Sequence, residues 1–144
     1  MKRRYPKKTK FVPQNPGKYV GKYPIVCRSS WERNFAQWLD CQKQVLEWSS
    51  EGIIITYFDP VFGKMRRYFP DFYMKTKAGK FIIEIKPYKE TIPPRKSKKK
   101  SRKTVITEQN TYKRNQAKFE AAERFAENIG MTFKIYTERE LYKK

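Results

Sequence analysis

Apolar positions recur with a helical period at Trp31, Phe35, Trp38 and Leu39, running on to Gln42, and Ser29 stands just ahead of them where a helix cap is expected. The pattern then changes to the short runs of strands, at residues 45–51 and 53–58, followed by an extended segment over residues 66–75. Turn chemistry separates them: Asp59-Pro60-Val61-Phe62-Gly63 and Lys77-Ala78-Gly79-Lys80. Residues 81–86 are different. Phe81-Ile82-Ile83 and Ile85 make a nearly unbroken apolar run, the mark of a strand covered on both faces, and Pro87 ends it. A second, long helix is predicted from Thr107, with Tyr112, Phe119, Ala122, Phe125, Ala126 and Ile129 on one side and Gly130 placed to stop it. A last strand over residues 131–137 and a helical turn over residues 138–142 complete the chain. This order predicts an α/β fold, a mixed central β-sheet flanked by helices.

Two stretches lack such patterning. Residues 1–22 contain Pro6, Pro13, Pro16 and Gly17 without periodicity and read as a flexible basic arm; residues 88–104 are a Pro/Lys/Ser segment and read as a basic mobile loop. The remainder, residues 23–144, is expected to be one domain, since 144 residues can bury one sizeable core but not two.

Charge alters the picture more than length does. There are 34 Lys+Arg against 14 Asp+Glu, a formal net charge of +20, which calls for a polyanionic partner such as nucleic acid. Thirteen of the basic residues lie in two runs that contain no acid. One is Lys2, Arg3, Arg4, Lys7, Lys8 and Lys10; the other is Arg95, Lys96, Lys98, Lys99, Lys100, Arg102 and Lys103. They read either as clamps on a phosphate backbone, giving grip without sequence choice, or as solvated segments or a localisation signal. Cys27 and Cys41 are too few for a zinc site, and no histidine exists to complete one. Histidine-dependent nucleophilic catalysis and histidine general bases are excluded with it. The basic start lacks the apolar run of a signal peptide and no stretch approaches membrane-spanning length, so a soluble protein of a reducing cytoplasm is expected, with no membrane partner.

The chemistry left for such a chain is carboxylate-held metal with lysine in support, and the residues for it are present. Residues two apart on a strand face the same way, about 6.5–7 Å apart. Glu84 and Lys86 therefore share one face, Phe81, Ile83 and Ile85 the other, and a hairpin brings Asp71, after Pro70, beside the first. Oxygens from Asp71, Glu84 and the Ile85 carbonyl would suit an octahedral Mg²⁺ at roughly 2.0–2.1 Å. Lys86 would orient a water or stabilise charge on the phosphoryl group. An edge strand with Glu and Lys facing solvent is the competing explanation, weakened by the apolar run around Glu84, because a carboxylate on a covered strand is costly unless paired or metal-bound. Glu32 has two readings as well: the acidic member of a capping box with Ser29, or a third carboxylate at the metal. Gln116, on the side of Tyr112 and Phe119, is a candidate for holding a phosphate or water, while Lys113 and Lys118 read as solvated helix surface. Trp31, Trp38 and Trp48 read as core rather than base-stacking platforms.

Helix-borne Glu32, then Pro70-Asp71, then Glu84-Ile85-Lys86, then a helix and a strand, resembles the PD-(D/E)-x-K nuclease superfamily and its restriction-endonuclease-like fold. Within it, the stretches Tyr23-Pro24-Ile25-Val26-Cys27-Arg28-Ser29-Ser30-Trp31-Glu32-Arg33, Arg67-Tyr68-Phe69-Pro70-Asp71-Phe72-Tyr73 and Ile83-Glu84-Ile85-Lys86-Pro87 are similar to the head-completion nucleases of T4-like phages, a likeness covering most of residues 19–90. The resemblance implies a Mg²⁺-dependent endonuclease (Mn²⁺ as a possible substitute) that cuts double-stranded DNA during head completion, after packaging. It would work in the cytoplasm of the infected host or in the virion, with phage head or portal proteins as partners and a homodimer as one way to cut both strands. Asp71, Glu84 and Lys86 carry over as catalytic, with Glu32 beside them. The TnsA-type transposon endonuclease has a similar core but continues into a second domain; the end of this chain at Lys144 is expected to separate it from transposition. A non-catalytic portal-vertex protein that grips DNA through its basic arms is the alternative from another class.

Overall fold

A computed structural model describes residues 8–141. In chain order it contains β1 (Thr9–Phe11), a 3₁₀ turn at Pro16–Lys18, β2 (Ile25–Cys27), α1 (Ser30–Cys41), β3 (Glu47–Ser50), β4 (Ile55–Asp59), β5 (Lys64–Tyr68), β6 (Phe72–Thr76) and β7 (Gly79–Ile85). A second 3₁₀ turn at Tyr88–Glu90, α2 (Arg102–Asn128), β8 (Thr132–Tyr136) and α3 (Glu138–Leu141) follow. Four strands form the central sheet in the order β3-β6-β7-β8. β3, β6 and β7 pair antiparallel, and β8 joins β7 in parallel after the crossover through α2. The sheet is mixed and flanked by helices, as the patterning predicts. Among the described residues no helix is long and apolar enough to cross a membrane.

The apolar run in β7 is explained by burial on both faces. Ile83 and Ile85 join Trp48, Phe72 and Met74 against Phe35, Ala36 and Leu39 of α1. Ile82, which alternates with them, is fully buried on the opposite face, where α2 packs. Each such isoleucine contributes about 1.5–3 kcal/mol by leaving water. On the α2 side a separate hairpin, β4 with β5, packs Ile55, Tyr57 and Tyr68 against Ala122 and Phe125. Asp59 at its tip is fully buried. It accepts hydrogen bonds from the Val61 and Phe62 amides at 2.8 and 3.3 Å and forms ion pairs with Arg66 at 3.4 Å and Arg114 of α2 at 3.3 Å. Burial pushes the proton affinity of Asp59 up, but the two amides and then Arg114 and Arg66 outweigh it and hold the carboxyl below its usual range. This tether seats the hairpin on α2, and the hairpin carries Tyr68 to the site.

Three expectations need correction. The supposed loose arm is ordered from Thr9 on: β1 pairs with β2, and Tyr19 is buried against Trp48 with ring centroids 4.8 Å apart. The buried Asp40 carboxylate accepts from the Gln14 amide at 2.7 Å, and Lys18 Nζ donates to the carbonyls of Asp40 and Gln42. Long-range hydrogen bonds of this kind leave no periodic trace in a sequence. The extended segment over residues 66–75 is two strands in two different sheets, because Pro70 cannot donate to a ladder and the chain switches sheets there. The long helix begins at Arg102, capped by the Ser101 hydroxyl, which accepts from the Thr104 amide at 3.2 Å. The irregular part of the basic loop therefore ends before Arg102, not at residue 104.

Candidate active site

The break at Pro70 leaves a gap that Asp71 fills. The β6–β7 ladder ends at the pair Phe72 and Ile83, so the Ile85 amide has no strand partner on that side. It donates instead to Asp71 Oδ2 at 2.8 Å. On the other flank the Glu51 amide donates to the Asp71 carbonyl at 3.1 Å. Glu51 itself has φ +52, in the left-handed region that non-glycine residues seldom occupy, and its carboxylate pairs with Arg28 at 3.0 Å on the rim of the site.

Glu84 projects from β7 beside Asp71 and is only 6 % exposed. The Tyr68 hydroxyl donates to its Oε2 at 2.6 Å, and Lys86 Nζ lies 3.6 Å from its Oε1. Burial, then Glu84 and Glu32, push the Asp71 carboxyl well above the usual carboxylate range, although the Ile85 amide and Lys86 pull the other way. Burial also raises Glu84, against the pull of Lys86, Tyr68, the Asp71 amide and Lys118. Two negative charges held together out of water favour a proton or a cation between them. The Tyr68 phenol is raised by burial and by Glu84, so it stays a donor.

Both carboxylates open into a cleft of about 400 Å³ that Arg28, Arg67 and Lys118 also line. Lys118 reaches in from α2, its Nζ 5.6 Å from the centre of the Tyr68 ring and 5.9 Å from that of Tyr57. No carboxylate lies within ion-pairing distance of it among the described residues. Burial, and then Lys86, lower its proton affinity. The cleft thus has an acidic floor and a cationic wall, an arrangement suited to a phosphodiester beside a metal ion.

Asp71, Glu84, Lys86 and the Ile85 backbone are brought together as the sequence predicts. Glu32 stands nearby, within electrostatic reach of Asp71 and Lys86, with its own carboxyl raised chiefly by burial. The capping reading of Glu32 holds with one change. The Ser29 hydroxyl accepts from the Glu32 amide at 3.1 Å, while Glu32 Oε2 accepts from Arg28 N at 2.9 Å, one residue before the cap. Among the described residues no three Asp, Glu or Cys side chains converge closely enough to hold an ion. Gln116 is the clearest correction: it lines a separate groove with Tyr57, Met65 and Tyr112, and the α2 side chain in the cleft is Lys118. Lys118 was legible in principle, since it lies next to Phe119 and four residues before Ala122, on the buried side of the helix. Tyr68 stands near the site in the sequence, three residues before Asp71, but nothing there predicts its bond to Glu84.

Of the basic candidates, Lys2, Arg3, Arg4 and Lys7 lie outside the described residues, and Lys8 is exposed. Arg95, Lys96, Lys98 and Lys99 are exposed on the loop after β7, and Arg102 and Lys103 are exposed in the first turn of α2. Lys100 is half-buried and paired with Glu108 at 2.8 Å.

This chain is similar to known nucleases. It is 43% identical over 134 residues to the head completion nuclease of Enterobacteria phage T4, covering 90% of this chain and 89% of that protein. Residues 42–138 match the family described as TnsA-like endonuclease N terminal. That span takes in Tyr68, Asp71, Glu84 and Lys118, which line the cleft, and Lys86 beside Glu84, and with it the chain belongs to the TnsA-like endonuclease family, whose domain is restriction-endonuclease-like.

Proposed function

We propose that this nuclease is a Mg²⁺-dependent DNA endonuclease that acts in phage head completion after DNA has been packaged, in the cytoplasm of the infected host. The observation that carries the metal dependence is the pairing of Asp71 with buried Glu84, both with raised proton affinity, on adjoining strand ends. Two carboxylates and a backbone carbonyl form a hard-oxygen donor set of the size Mg²⁺ accepts, since that ion keeps several of its waters; Mn²⁺ would suit the same oxygens. Asp71, Glu84 and the Ile85 carbonyl would hold the ion, which when bound supplies charge stabilisation at the scissile phosphate and a more acidic water. Lys86, 3.6 Å from Glu84, orients the attacking water or meets the developing negative charge. Arg28 and Arg67 at the rim steer the backbone in. Cutting both strands with one such centre calls for two copies or two visits.

The basic segments fit double-stranded DNA as substrate. The first turn of α2 carries Arg102 and Lys103 and no acid, the reverse of what the helix dipole favours, so these charges serve a partner rather than the helix. The resemblance to a protein named for head completion is what supports the place in assembly, and with it phage head or portal proteins as partners.

Supercoiled plasmid incubated with the protein should be nicked or linearised in Mg²⁺ and untouched in EDTA. Cleavage that survives Asp71→Ala would remove the proposed site, and retardation of DNA without any cleavage would favour the DNA-gripping structural protein. Tyr68→Phe tests the support of Glu84. It deletes the 2.6 Å bond that lowers the proton affinity of Glu84, so the acid limb of the pH–rate profile should move to higher pH. The Mg²⁺ concentration needed for half-maximal rate should rise about 10–100-fold. Unchanged Mg²⁺ dependence would rule that role out.

A further inference from the structure

A second cavity adjoins the cleft and has no part in the chemistry above. It has a volume of about 660 Å³, within the range of roughly 300–1,000 Å³ usual for small-ligand pockets. Tyr88, two residues beyond Lys86, forms one wall, and Tyr112 and Asn115 of α2 form another. Asn115 sits three residues before Lys118, so the cavity and the catalytic cleft are neighbours along one helix face.

Asn115 is only 5 % exposed, yet neither its amide nitrogen nor its carbonyl oxygen has a hydrogen-bond partner among the described residues. Its polar atoms are not sealed from solvent but open to the cavity that Asn115 lines, free to bond what enters it. The carboxamide presents donors and an acceptor together, which restricts what satisfies it. A phosphate offers acceptors only and would leave the oxygen unmet. A nucleobase edge offers both, and asparagine pairs bidentately with such an edge. The walls suit a flat ring. The Arg139 guanidinium stacks on Tyr88 with its carbon 3.5 Å from the ring centre, and the Tyr88 amide is anchored by the Glu138 carboxylate at 3.0 and 3.1 Å. Bases stack on aromatic rings and on guanidinium planes alike. Lys89 and Arg95 at the same cavity supply charge for the flanking phosphates.

We infer that this cavity receives one unstacked nucleobase of the DNA strand next to the scissile phosphate, read by Asn115 and stacked by Tyr88, Tyr112 and Arg139. The inference rests on the nuclease reading of the neighbouring cleft. Extruding a base into a pocket of aromatic and polar side chains is an established way for proteins to act on duplex DNA.

The test maps the cut on an oligonucleotide duplex and then sets an abasic residue at each of three nucleotides on either side. With wild-type protein, one position alone should lose about tenfold or more in kcat/KM. Asn115→Leu should lose a similar factor on intact duplex and nothing further when the abasic residue occupies that position, since pocket and base act as one pair. Asn115→Asp, close in size, should change which base is preferred there, separating recognition from a folding defect. A flat abasic scan, or losses that multiply, overturns the pocket and leaves the nuclease reading standing. If the wild type cleaves nothing, that reading fails instead. The pocket is then judged by binding of a single-stranded 2-aminopurine oligonucleotide: a fluorescence change with wild type but not Asn115→Leu supports it, and equal responses overturn it.

Discussion

Asp71→Asn is expected to abolish plasmid cleavage, by about a thousandfold or more, while raising the melting temperature of the metal-free protein by about 2–4 °C at neutral pH. The two effects have one cause. Asp71 and Glu84 are charged neighbours out of water, each with its proton affinity raised in the folded state, so ionising both opposes folding. Asparagine keeps an acceptor for the Ile85 amide but removes the charge. The sign follows from linkage: a carboxyl whose folded value is raised binds its proton more tightly in the folded protein than in the unfolded chain. Its contribution to stability is complete below the ordinary carboxylate range, about pH 4, and is lost as pH rises through the folded value. Metal-free wild type should therefore lose stability from roughly pH 4 upward, and the variant should lose less. Mg²⁺ should restore the wild type at neutral pH and leave Asp71→Asn unchanged, because only the folded wild type binds it. Thermal melts across pH, with and without Mg²⁺, check all three. Equal Mg²⁺ responses in the two proteins would show that the carboxylates do not share an ion.

Lys118→Met should lower kcat by about a hundredfold with little change in melting temperature. Lys118 has its charge in the cleft without an ion-pair partner among the described residues, against Tyr57 and Tyr68 and close enough to Lys86 to be lowered by it. A cation held in that way meets a phosphate more strongly than it meets water. Methionine retains most of the stem that packs on the rings, so folding survives. Lys113→Ala, on the groove side of the same helix, should leave kcat unaltered. Lys118→Arg should recover part of the rate and lose the basic limb of the pH profile, because guanidinium does not titrate there. An equal effect of Lys113→Ala and Lys118→Met would reduce both to general attraction for DNA.

Much of the architecture was legible because local rules and tertiary outcome agree. The strand at β7 was readable from its unbroken apolar run, and the α1 start from Ser29, whose hydroxyl takes the Glu32 amide. The failures share a physical type. The N-terminal segment is held by Asp40 and Trp48 through contacts across some 25 residues of chain, and no window of sequence contains both partners. The early start of α2 was hidden because Arg102, Lys103 and Thr104 open its first turn and no apolar stripe announces it. Gln116 stands on the side of Tyr112 and Phe119 and Lys118 reads as solvated surface, whereas the folded helix turns the lysine into the cleft and leaves Gln116 in a separate groove.

By itself, the order of residues determined that Glu84 and Lys86 share a face, that Pro87 ends the strand carrying Glu84, and that the chain attracts polyanions. Those are consequences of strand period, proline chemistry and net charge, all of them local or additive. Which groups close on the two carboxylates was decided only by folding. Tyr68 arrives on a hairpin from a different sheet, tethered through Asp59 and Arg114, and Lys118 arrives on a crossover helix. Their positions depend on how distant elements pack, and packing is a property of the assembled core rather than of any segment within it.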